Sequence, residues 1–107
     1  MKTIYFSNTG CSIEEEEFIR LKTIIGAKQT NNLFKADYIV QHFCGMSSEC
    51  FEDIPKFMYV LEKLKEDNPN IKVFVGGCAS TVVDLQKRYP FVDYVFSRHN
   101  MTKDIVF

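Results

Sequence analysis

Three cysteines, Cys11, Cys44 and Cys78, stand 33 and 34 positions apart, and each follows a short apolar run of β character. The runs are Thr3 to Ser7, Asp37 to Phe43 and Ile71 to Gly76, so each thiol falls where a strand is expected to end and the chain to turn back toward a helix. Ligands of open α/β sheets collect outside the carboxyl ends of the strands, so three soft thiolates on one sheet edge point to metal ligation. Cys11 and Cys78 are each preceded by glycine and followed closely by a helix-capping residue. Backbone N–H groups and a helix N-terminus should therefore face the sulfur, lower its pKa and favour the ligating thiolate. For any one of the three, a small packed residue is the competing reading. Zinc is the competing metal, but structural zinc commonly brings a close ligand pair such as C-x-x-C, which this chain lacks. Three thiolates leave one position of a cubane iron–sulfur cluster without a protein ligand, and an open metal position is where a co-substrate binds.

The elements that must position these residues alternate between β-type runs and helical patterns, the signature of βαβ units and a parallel sheet. After the first strand, Ser12 with Glu15 forms a capping box, and the acidic run Glu14 to Glu17 suits the positive end of the helix dipole. The apolar stripe Phe18, Leu21 and Ile25, with Ile24, follows helical spacing, and Gly26 supplies a left-handed stop. Ala27 to Thr30 reads as a short edge strand. A long helix after the second strand carries Ile54, Phe57, Leu61 and Leu64 on one face; Asp53 is its expected cap, which would put Pro55 near the first turn. Asn68-Pro69-Asn70 ends it, and Ile71 to Val75 is the third strand. Thr81 with Asp84 caps a shorter helix bearing Val82, Leu85 and Tyr89, and Val92 to Phe96 forms the last strand. The expected fold is a three-layer α/β domain spanning residues 1–107, a mostly parallel sheet of four or five strands with helices on both faces in a flavodoxin-type winding.

Secondary candidates are weaker. Cys50 reads as a packed residue at a helix start, with a fourth ligand or a sulfur relay as the sharper alternative. His42 alternates with Gln41 and Phe43 along the second strand and reads as packed rather than ligating, while His99 lies in a loop near the same sheet edge as the thiols. Gly76-Gly77 lacks the following Lys-Ser/Thr of a phosphate loop.

Composition bounds the function. The 107 residues are 46% hydrophobic and 25% charged, with 10 Phe and 5 Tyr, which is ordinary for a packed domain. A net charge of -1 without a basic block argues against autonomous binding to nucleic acid. The apolar part of Met1 to Ser7 is too short for a signal peptide, and no run approaches the ~18 apolar residues that span a bilayer. The expected location is the cytoplasm, where four cysteines serve as ligands, reactive groups or small hydrophobes rather than disulfides.

Several short motifs in order carry a resemblance: Tyr5-Phe6-Ser7-Asn8-Thr9-Gly10-Cys11; Ala36-Asp37-Tyr38-Ile39-Val40 leading to Cys44; Glu66-Asp67-Asn68-Pro69-Asn70 through Val75-Gly76-Gly77-Cys78; and Pro90-Phe91-Val92-Asp93 with His99-Asn100. Together they resemble the N-terminal domain of the radical-SAM methylthiotransferases, which act on tRNA or a ribosomal protein. The resemblance implies that Cys11, Cys44 and Cys78 hold one 4Fe-4S cluster whose fourth iron is open to a sulfur co-substrate. It also implies a partner: a radical-SAM domain or subunit that binds S-adenosylmethionine and a second cluster through a Cys-x3-Cys-x2-Cys motif absent from this sequence. On this reading the chain is inactive alone. It departs from the family pattern at Glu14, at Gly45-Met46-Ser47-Ser48 and at Ala79-Ser80-Thr81. A cluster-free docking or regulatory module and a zinc-binding structural domain are the alternatives.

Overall fold

A computed structural model of the chain describes residues 2–7, 12–43, 48–77 and 85–97, with the side chains of 12–14, 48–53 and 97 left aside. Five strands, β1 (Thr3–Ser7), β2 (Lys28–Gln29), β3 (Tyr38–His42), β4 (Lys72–Gly77) and β5 (Tyr94–Ser97), form one sheet in the order β2-β1-β3-β4-β5. Every neighbouring pair is parallel. This is the flavodoxin-like winding, with its switch point between β1 and β3. Helices α1 (Ser12–Ile25), α2 (Ser48–Asp67) and α3 (Leu85–Arg88) connect the strands, and a 3-10 turn at Leu33–Lys35 precedes β3.

Two cores lie on opposite faces of the sheet. On one, Phe18 and Leu21 of α1 pack on Ile4, Val40, Phe74 and Phe96; on the other, Ile54, Met58, Leu61 and Leu64 of α2 and Leu85 of α3 pack on Ile39, Val73 and Val75. The pattern follows the pleat, since successive side chains of a strand point to opposite faces. Burying each of these large side chains contributes about 1.5–3 kcal/mol before the entropy of ordering is subtracted.

α1 ends as its sequence predicts. Gly26 has φ 68°, its N–H donates to the Thr23 carbonyl at 3.3 Å, and the Ala27 N–H donates to the Lys22 carbonyl at 3.2 Å. This pair of bonds is the Schellman closure, and it needs a residue at ease with positive φ. Ile24, expected on the buried stripe, is instead 68% exposed. At 100° per residue it sits roughly a quarter turn from the line through Phe18, Leu21 and Ile25.

α2 corrects three further expectations. It starts at Ser48, so Asp53 is interior and not a cap, and Pro55 lies beyond the first turn. Pro55 is exposed, so water can reach the carbonyl that loses its intrahelical partner. Met58, not Phe57, completes the buried stripe; Phe57 remains 40% exposed and touches the Phe43 ring, centroids 6.1 Å apart, beyond the end of β3. The last strand also starts later than expected: Val92 is buried but precedes it, and β5 begins at Tyr94. The expected cap of α3 at Thr81 and Asp84, with Val82, lies outside the described residues, whereas Leu85 is buried and accepts the Tyr89 N–H at 2.9 Å as its spacing predicts.

Candidate metal centre

The three strands that precede Cys11, Cys44 and Cys78 are β1, β3 and β4, and these are consecutive in the sheet. Sequence order alone allows many arrangements; the switch of winding direction between β1 and β3 is what seats them side by side. In register, Ser7 pairs with Gln41 and His42 pairs with Gly76, so the three strands end at one level. Neighbouring strands lie about 4.8 Å apart, so the ends of β1 and β4 are about 10 Å apart across β3.

The cysteines themselves, together with His99, lie outside the described residues, and Cys50 is described in backbone only, within α2. Cys11 follows the last residue of β1 by four positions, Cys44 follows Phe43 and Cys78 follows Gly77. Among the described residues, no group of three or more His, Cys, Asp or Glu side chains could hold a metal ion.

Two buried polar residues tie these strand ends together. The Gln41 carboxamide, 3% exposed, donates to the His42 carbonyl at 3.0 Å and to the Ser7 carbonyl at 3.5 Å, joining the end of β1 to the end of β3. The Phe43 N–H donates to the Gly76 carbonyl at 2.8 Å, which carries the β3–β4 ladder up to the residue before Cys44. His42, read from the sequence as packed, is 1% exposed. Its ring lies against Gly77, where a Cβ would come within 2.4 Å of His42 Cδ2 and 2.9 Å of the Phe43 carbonyl oxygen.

Gly77 has φ 103°, a conformation side chains disfavour, and it is the residue from which the chain departs toward Cys78. At Gly76 a Cβ would meet the Phe96 carbonyl oxygen at 1.9 Å, so β4 and β5 approach closely only because that side chain is missing. Gln41 is the positioning residue that pattern reading missed. Its signal was a polar pair, Gln41-His42, in the otherwise apolar run Tyr38 to Phe43 directly before a cysteine.

The floor beneath this edge is dry: Phe43, Phe96 and His42 are each at most 1% exposed. Burial of this kind strengthens charge–dipole interactions at a bound anionic group. The surface charge most clearly perturbed is unrelated to the site. Glu66 raises the pKa of Lys63, chiefly by its charge and then by their hydrogen bond, on the exposed side of α2. No described helix is long and apolar enough to cross a membrane.

The described residues form a doubly wound, all-parallel α/β domain, and Cys11, Cys44 and Cys78 follow three of its adjacent strands in the sequence. Residues 3–97 match the uncharacterized protein family UPF0004, and the chain belongs to that family, which forms the N-terminal domain of methylthiotransferases. Its relatives include tRNA-2-methylthio-N(6)-dimethylallyladenosine synthases. That of Acinetobacter baumannii is 30% identical over 102 residues, that of Chromobacterium violaceum 33% over 102 and that of Pseudomonas aeruginosa 28% over 101. These alignments cover 89–90% of this chain but only 21–23% of the relatives' lengths, so the chain spans less than a quarter of the enzymes it matches.

Proposed function

We propose that this chain is the iron–sulfur-binding domain of a methylthiotransferase, with Cys11, Cys44 and Cys78 as the ligands of one 4Fe-4S cluster. The observation that supports the reading is the adjacency of β1, β3 and β4, the strands that precede these cysteines in the sequence. The chain's own part is to hold three thiolates at a fixed separation, with Gln41 and the Gly77 turn setting the strand ends and Phe43 and Phe96 keeping water from beneath. When bound, the cluster supplies an open iron at which a sulfur co-substrate can be presented to an activated carbon.

The substrate we assign is tRNA, from the activity named for the relatives, in preference to a ribosomal protein. Turnover then needs a radical-SAM domain or subunit with S-adenosylmethionine, because the chain corresponds to less than a quarter of those enzymes. The whole of residues 1–107 acts as one domain, and its work takes place in the reducing cytoplasm, where thiols persist as ligands.

Anaerobic reconstitution with iron and sulfide tests this. The expected result is about four irons per chain and a broad charge-transfer absorption, both lost when Cys11, Cys44 and Cys78 are changed together to Ala. Iron uptake that is unchanged in the triple variant overturns the assignment, and stoichiometric zinc after reconstitution in a mixture of both metals replaces it with the structural-zinc reading. Cys50→Ser is expected to leave the iron content intact.

A further inference from the structure

A groove opens at the opposite edge of the sheet, where β3, β4 and β5 begin. It encloses about 610 Å³, within the range of small-molecule sites, and lies on the α1 face of the sheet. Its wall is a row of three rings, one from each strand: Tyr38 and Phe74 have centroids 6.2 Å apart at an interplanar angle of 17°, and Phe74 and Tyr94 are 6.0 Å apart. Phe74 and Tyr94 are direct cross-strand partners, and Tyr38 pairs directly with Lys72, so the rings and that ammonium share one face. Phe74 is buried, Tyr38 is half-buried and Tyr94 is 40% exposed, so the outer rings present aromatic surface to the groove.

The charges around this wall are not balanced. Both rim carboxylates are already engaged: Asp37 accepts the Thr3 N–H at 2.8 Å and the Thr3 hydroxyl at 3.3 Å, and Asp93 accepts the Val73 N–H at 2.7 Å and pairs with Lys65. Lys72 reaches Asp93 only at 3.9 Å. Lys2, which also lines the groove, takes part in none of the ion pairs formed among the described residues, Lys63–Glu66, Lys65–Asp93 and Lys72–Asp93. The groove is lined by Lys2 and Lys72 against Asp37 and Asp93, and Lys65, from outside the lining, already pairs with Asp93, which leaves Lys2 and Lys72 facing the one carboxylate of Asp37.

We infer that this groove is a binding site for a small planar aromatic anion, its ring stacked against Tyr38 and Tyr94 and its charged group held by Lys2 and Lys72. Aromatic rings favour a planar partner through offset stacking, and two lysines at one rim favour an anionic substituent over a neutral one. The site is separate from the cysteine edge, since β3 runs five residues, about 16 Å, between the two.

Binding to the 107-residue chain is read by amide and tyrosine chemical-shift changes, with three probes: adenosine 5′-monophosphate, which carries ring and anion, adenosine, which carries the ring, and inorganic phosphate, which carries the anion. The nucleotide is expected to saturate with a Kd of about 0.1–1 mM, shifting Tyr38, Phe74 and Tyr94 together, and adenosine to bind about tenfold more weakly. Phosphate alone should leave the tyrosine resonances unmoved. Tyr94→Ala is expected to weaken nucleotide binding at least tenfold, and Lys2→Gln with Lys72→Gln about fivefold while leaving adenosine unchanged. These three side chains are exposed or partly exposed, and an unchanged amide spectrum outside the groove verifies the fold of each variant. No saturable shift at the groove with about 5 mM nucleotide, or equal shifts with phosphate alone, overturns the inference. So does nucleotide binding that survives Tyr94→Ala unchanged.

Discussion

At the N-terminal edge of the sheet two carboxylates cap strand N–H groups, Asp37 on Thr3 and Asp93 on Val73, whereas at the C-terminal edge the Gln41 carboxamide joins two strands and the bare Gly76 and Gly77 let others approach closely. The two acidic ties sit at equivalent places, each in an Asp-Tyr pair at the start of a strand, and each caps a neighbouring strand's N–H. An ionised carboxylate can do this at a wet, half-exposed rim. The same device would be costly at the other edge, where Phe43, Phe96 and His42 are buried and a negative charge would oppose the proposed thiolates. A neutral amide and two glycines join the strands there without adding charge. Among the described residues, the side-chain tie at the edge proposed to hold an anionic cluster is thus uncharged, and those that cap strand N–H groups at the edge with the lysine-rimmed groove are charged.

This contrast can be broken by variants of graded effect. Gly76→Ala is expected to cost most, about 3 kcal/mol or more, because the new Cβ meets backbone, the Phe96 carbonyl oxygen at 1.9 Å, and β4 and β5 must separate. Urea unfolding measures it, and a loss below about 1 kcal/mol would mean that the approach of the two strands relaxes easily. Gly77→Ala should cost about 2–3 kcal/mol through its φ of 103° and the contact with His42. It should also lower reconstituted iron more than Gly76→Ala does, since Gly77 directly precedes Cys78.

Side-chain ties cost less. Asp93→Ala removes the hydrogen bond from Val73 and the Lys65 pair, and about 1.5–3 kcal/mol of unfolding free energy should go with them. Iron uptake should not change, because the loss falls on the edge away from the cysteines. Gln41→Ala should cost about 1–2 kcal/mol and, unlike Asp93→Ala, should reduce iron binding, because it frees the ends of β1 and β3. Equal iron content in the two variants would remove the distinction between the edges. The smallest effect belongs to Ile24→Gln, within about 0.5 kcal/mol, since that side chain is 68% exposed.

Much of the fold was legible because its causes are local. The Schellman closure at Gly26 depends on residues 22–27 alone, and the strand runs announce themselves by apolar, β-branched and aromatic residues. The misread elements were those in which distant packing overrode a local signal. Asp53 looks like a cap and Pro55 like a first-turn residue, yet α2 begins at Ser48, six residues ahead of the stripe Ile54, Met58, Leu61 and Leu64 that buries against β3 and β4. Phe57 looked like core but reaches past the end of the sheet to Phe43.

By itself the sequence determined the kind of residues available: three well-spaced thiols, each behind a strand, and a net charge of -1. It also determined the alternation that makes the sheet parallel, since βαβ crossovers are the connections such a pattern permits. Only the tertiary structure decided that β1, β3 and β4 are neighbours, that Gln41 stitches two of their ends, and that Tyr38, Phe74 and Tyr94 line a groove at the far edge. Periodicity along a chain reports which face of an element is buried. Strand order is set by how the faces of separate elements close one core, and no local pattern records it.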